Sequence, residues 1–139
     1  MEITANALQT VEANQNIIFT DTVVCGNCSI LHRGGSGLVT LRGITNQCRA
    51  RFRVTFGGNI ALPTGGTVGP ISLAIAVNGE PVATTTMIET PAAVAEFSNM
   101  FSAIFLDIPA GCCSQISVRN TSDQAINVQN ANLIVERVA

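Results

Sequence analysis

The chain has 139 residues, 47% of them hydrophobic and 12% charged, a size that suits one core and a composition that excludes disorder. Seven Arg, no Lys and nine acidic residues give a net charge of −2, which argues against a nucleic-acid partner, and no run nears the roughly 18 to 20 apolar residues of a membrane span. Fourteen Thr and twelve Asn favour strands and turns over helices, so the expected class is all-β.

Strand patterns recur at short spacing between turn residues, with no convincing 3.6-residue period. Residues 16–20, carrying Ile17, Ile18 and Phe19, read as the first strand. Val23 and Val24 follow, then residues 30–32, closed by a turn at Gly34, Gly35, Ser36 and Gly37; residues 38–41 make another short strand ending at Gly43. From Cys48 to Phe56 the sequence alternates, with Arg49, Arg51 and Arg53 on one side and Ala50, Phe52, Val54 and Phe56 on the other, the pattern of a half-buried strand.

Residues 57–70, rich in Gly, Pro and Thr, read as a loop. The next strand, 71–77, sets Ile71, Leu73, Ile75 and Val77 against a small face of Ser72, Ala74 and Ala76 that another layer can approach closely. Asn78-Gly79 is a type I′ hairpin signal, and residues 82–87 are expected to return antiparallel. Thr90-Pro91 suits the start of one helical turn reaching Glu96. Residues 101–108 are apolar on both faces and must be covered twice; 115–120 is a further strand, and 131–138 reads as a central terminal strand. The count of about eight to ten strands suits a two-sheet jelly roll. Residues 1–24 are set apart as an N-terminal β extension or edge strand, with the jelly roll over 25–139.

Five cysteines are an odd number, so at least one cannot pair within its own chain. Cys25-Gly-Asn-Cys28, Cys48 and the adjacent Cys112-Cys113 are candidates for disulfide cross-links within or between subunits, with plain reduced or buried thiols as the alternative. A metal centre is disfavoured because the second half of a zinc pattern is missing, and no cofactor motif occurs. His32 is the sole histidine and has no Gly-x-Ser-x-Gly elbow, so no catalytic residues are assigned and the chain reads as non-enzymatic. Arg49, Arg51 and Arg53 form either a stripe for an acidic partner or anionic glycan, or an ordinary solvated face paired with carboxylates; the second is favoured. The initial Met and the lack of a basic-apolar leader suggest synthesis in the cytosol without a signal peptide.

The strand Phe52 to Phe56, the run Ile71-Ser-Leu-Ala-Ile-Ala-Val-Asn-Gly-Glu-Pro-Val82, Ile108-Pro-Ala-Gly111, Ile116-Ser-Val-Arg-Asn120 and the closing Ala131-Asn-Leu-Ile-Val-Glu-Arg-Val-Ala139 together resemble the C-terminal domain of bacterial collagen-like spore-surface glycoproteins, within the C1q and tumour-necrosis-factor-like jelly-roll group. The resemblance covers roughly residues 45–139. It implies a ten-stranded jelly roll that forms homotrimers on a spore exosporium or, in related bacteriophage proteins, on a virion. The collagen stalk of that group has no counterpart here, and the cysteines are not part of its pattern. On this reading the excess apolar surface of Phe101, Phe105, Leu133 and Val135 packs around a threefold axis. The expected role is a self-assembling outer-surface subunit of a spore or phage particle; a glycan- or receptor-binding module acting through the loops is the alternative.

Overall fold

Period-two alternation resolves into two six-stranded antiparallel sheets in the computed structural model, which describes residues 1–139. In chain order the strands are β1 (Glu2–Ala5), β2 (Gln9–Val11), β3 (Asp21–Val24), β4 (Ile30–His32), β5 (Val39–Arg42), β6 (Arg49–Ala61), β7 (Ile71–Val77), β8 (Glu80–Pro81), β9 (Met87–Glu89), β10 (Ser98–Pro109), β11 (Cys113–Asn120) and β12 (Ile126–Arg137). One sheet runs β10-β6-β12-β1-β3, with β2 also on β12; the other runs β4-β5-β11-β7-β8, with β9 also on β7. The inward residues of both merge into a single core that includes Ile3, Phe19, Phe52, Phe56, Leu73, Ile116, Leu133 and Val135. The expected jelly-roll sandwich is therefore the observed architecture.

Residues 1–24 are built into this sandwich. β1 lies between β12 and β3, β3 forms the sheet edge, and Ile3, Ala5, Val11, Ile17 and Phe19 all join the core. The segment completes the sheet of its own chain. Asn120 holds it in place: its backbone exchanges hydrogen bonds with the turn after β2, donating to the Gln15 carbonyl at 2.9 Å and accepting from the Asn14 N–H at 2.8 Å.

Four local expectations need correction. Residues 16–20 make only single bridges, Asn16 to Arg119 and Phe19 to Ser36, because the segment crosses from β11 in one sheet to β1 in the other, where Thr20 N–H reaches the Thr4 carbonyl. The loop expected from residue 57 begins only after Ala61. Gly57 and Gly58 continue β6, and a methyl on Gly58 would sit 3.3 Å from Ala131, so the glycine marks close backbone approach rather than a break. Beside it, β12 carries a bulge between Gln129 and Asn132, with Asn130 at φ 54°.

The single return strand over 82–87 is instead split. Thr85 Oγ1 accepts from the Ile75 N–H at 2.9 Å and lies 2.7 Å from the Val82 carbonyl, and the chain winds into a 3-10 turn at Ala83–Thr85 between β8 and β9. A side chain that bonds the backbone locally competes here with the ladder. No helix forms over residues 90–96, because Ala95 adopts φ 61° and donates its N–H to the Leu62 carbonyl. The Asn78-Gly79 turn has φ of 52° and 85°, as a type I′ turn requires. Ala74 and Ala76 on the small face of β7 are buried, so that face is covered as its composition suggested.

Candidate functional site

The outer face of the β10-β6-β12 sheet collects most of the singled-out residues. β10 is the edge strand, and its alternation turns Met100 and Ile108 inward and Phe101, Ala103 and Phe105 outward. Phe101 is 65% exposed and Phe105 60% exposed, and Ile88, on the neighbouring β9, is 69% exposed. Ile88 and Phe101 border one shallow cleft where the two sheets meet, so the apolar strip runs from β9 down the β10 edge. Phe101 stands opposite Gly57, whose lack of a side chain leaves the ring's flank open; Ala103 stands opposite Thr55, which in turn faces Ile134 of β12.

Below the strip lies an ion-pair ladder. Arg51 donates from Nε to Asp107 Oδ1 at 2.7 Å and from Nη2 to Oδ2 at 3.0 Å, Arg49 Nε reaches the same carboxylate at 3.0 Å, and Arg53 pairs with Glu136. The register explains this, since Asp107 is the cross-strand partner of Arg51 and Glu136 that of Arg53. The Arg51 hydrogen bond, aided by the positive charges of Arg51 and Arg49, holds the Asp107 carboxyl below the usual carboxylate range. The same bond raises the Arg51 guanidinium above its ordinary value. All three arginines are thus engaged by carboxylates of their own chain, the arrangement of a solvated face rather than of a vacant stripe.

Leu133 and Val135 do not belong to this surface. Both are in the core, 1% and 0% exposed, because they share the parity of Ala131 and point inward, so the expectation that they line an interface is corrected; their half-buried neighbour Ile134 faces outward with Asn132 and Glu136. The sequence did carry that signal, since Ile134 alternates in step with two polar residues. Ile88 was missed because the expected return strand ended at Met87, whereas the observed β9 runs over Met87–Glu89.

The cysteines occupy a different place, one end of the sandwich. All five are free and exposed, which removes the buried-thiol reading. His32 is half-buried on β4 and its Nε2 bonds the Ser36 carbonyl at 3.0 Å, a structural role that closes its own loop and involves no carboxylate.

No protein-family model matches the sequence, and no curated protein matches it. Solved structures do share its architecture. The globular domain of zebrafish complement 1qA protein is 12% identical at a TM-score of 0.64, over 96% of this chain and 93% of that one. Eiger TNF from S. frugiperda is 14% identical at 0.67, over 100% and 92%. Murine APRIL is 9% identical at 0.57, over 95% and 96%. At these identities the likeness concerns the fold alone, and on that level the chain is a C1q/TNF-like jelly roll.

Proposed function

We propose that this chain is a non-enzymatic structural subunit that assembles as a homotrimer through the outer face at its β10 edge. The assembly builds an outer-surface layer, appendage or decoration on a bacterial spore or bacteriophage particle. The observation that carries the reading is the exposure of Phe101 and Phe105, on the same outward face of an edge strand with Ala103 between them. An unprotected apolar edge invites association. Covering two rings that are each about two-thirds exposed contributes roughly 2 kcal/mol per ring before the entropy of association is charged. The ladder of Arg49, Arg51 and Arg53 with Asp107 and Glu136 supports the same reading, since charges already paired within the chain can be approached by a neighbour without leaving lone ions. Threefold closure, and the spore or virion setting, come from the resemblance of the VNGEPV hairpin and the closing LIVERVA to collagen-like spore-surface proteins.

The double variant Phe101→Asp/Phe105→Asp tests it. Both side chains point away from the core, so the fold should survive while the assembly does not. Light scattering should report three chains for the wild type and one for the variant, with unchanged circular dichroism. Equal masses for the two proteins would sink the proposal.

A further inference from the structure

The end of the sandwich that carries Met1 and Ala139 also gathers every cysteine. Ser29 accepts the Arg42 N–H at 2.8 Å, and Arg42 is the cross-strand partner of Cys113. One residue further, Gly43 donates to the Cys112 carbonyl at 2.8 Å and accepts from Gly111 at 3.0 Å. Cys28 and the Cys112-Cys113 pair therefore lie on opposite flanks of the β5 end. Arg42 also reaches across to the Cys28 carbonyl at 3.4 Å. In the other sheet the Cys48 carbonyl accepts the N–H of Ala110, in the same turn as Cys112, at 3.0 Å. Cys25 directly follows β3 and shares a loop with Cys28.

This placement limits what can pair inside one chain. Two strand spacings separate Cys28 from Cys112 and Cys113, about 10 Å, whereas a disulfide needs Cα atoms within roughly 7 Å. Cys25 has Cys28 as its neighbour, and Cys48 has the 109–113 turn. Even if both of those pairs closed, one thiol of Cys112 or Cys113 would be left over. It projects from an exposed turn, and every copy of the chain carries it.

We propose that the Cys112-Cys113 turn is an intermolecular disulfide site that joins this end of one copy to the same end of a second copy. A self-complementary contact of this kind uses one surface twice and needs no other partner. The step is thiol–disulfide exchange with a low-molecular-weight disulfide such as oxidised glutathione. The thiolate of one copy attacks it, forming a mixed disulfide and releasing one small thiolate. The thiolate of the second copy then attacks the protein sulfur of that mixed disulfide and releases the other. Two cysteine thiols are oxidised to one S–S bond, the small disulfide is reduced to two thiols, and the two cysteine protons end on those. The site lies in the turn that follows the end of β10, beyond Phe101 and Phe105, so it links copies whether or not the threefold assembly exists; with that assembly present, it joins one trimer to the next.

The full-length chain, reduced and then incubated with oxidised glutathione, provides the test on a non-reducing denaturing gel. The wild type should yield covalent dimers that dithiothreitol dissolves. The Cys25→Ser/Cys28→Ser and Cys48→Ser variants should keep them, and Cys112→Ser/Cys113→Ser placed in the Cys48→Ser background, where no exposed thiol is left without a neighbour, should lower them at least tenfold. Peptide mapping of wild-type dimers made from a mixture of ordinary and 15N-labelled chains should show Cys112- or Cys113-containing peptides linked across the two isotopes. Dimers undiminished in the Cys112/Cys113 variant, cross-isotope links confined to other cysteines, or a wild type that stays a single chain would each overturn the proposal. Light scattering in reducing buffer reads the threefold assembly separately, so failure of one reading does not imply failure of the other.

Discussion

Asn120→Ala probes the latch that fixes the N-terminal segment to the sandwich. Asn120 is fully buried, and its side chain is saturated: Nδ2 donates to the carbonyls of Val11 and Gln124, each at 3.0 Å, with Glu12 at 3.3 Å sharing a hydrogen, while Oδ1 accepts the Ser122 N–H at 2.9 Å. Truncation removes about three hydrogen bonds, the one from the buried Ser122 N–H among them, at roughly 1 kcal/mol each, for a total loss of about 3 kcal/mol. Urea unfolding in reducing buffer, at one fixed protein concentration, reads this directly. With an m-value of about 2 kcal/mol/M the midpoint should fall by roughly 1.5 M and the slope should not change. A shift under about 0.3 M would show that the side-chain latch is dispensable and that packing and the backbone bonds of residue 120 hold the β2 turn.

Asp107→Asn should matter only where the carboxylate is charged. Because Arg51 and Arg49 hold the native Asp107 below its ordinary range, its contribution is complete above the unfolded value near pH 4 and is lost as pH falls through the lower folded value. Wild type should therefore exceed the variant in stability by a small margin at pH 7, with the gap closing in acid, and a gap constant from neutral to strongly acidic pH would contradict the pairing. Gly43→Ala should strain the 109–113 turn, since a methyl group there overlaps the Pro109 carbonyl oxygen. A loss of about 2 kcal/mol, or roughly 6 °C in Tm, is expected, and a melting temperature within 1 °C of wild type would refute the contact.

What the sequence disclosed and what it withheld follow from the range of the interactions involved. The strands over 49–56, 71–77 and 115–120 were legible because their larger apolar residues recur at every second position, and the Asn78-Gly79 turn was legible because its backbone demands those residues. Non-local contacts decided the rest. Gly57 and Gly58 read as a loop until Asn132 and Ala131 of β12 are seen against them, and residues 16–20 read as a strand although Asn16 meets β11 of one sheet and Thr20 meets β1 of the other. Leu133 and Val135 were misassigned because a run of three apolar residues hides its own parity, which only the neighbouring Asn132 and Glu136 reveal. The odd number of cysteines already made Cys25, Cys28, Cys48, Cys112 and Cys113 cross-link candidates, and what brings them to one end is that β3, β5 and β10 finish there and β6 starts there.

Sedimentation equilibrium of the full-length chain in reducing buffer tests the central claim most directly, because it reads mass without disulfides and without any substitution. If Phe101 and Phe105 are covered by a neighbouring copy, the mass should be three times that of the 14.5 kDa chain and should hold over a wide range of concentration. A mass of one chain throughout that range would mean that the β10 edge faces water, and the assembly would have to be abandoned.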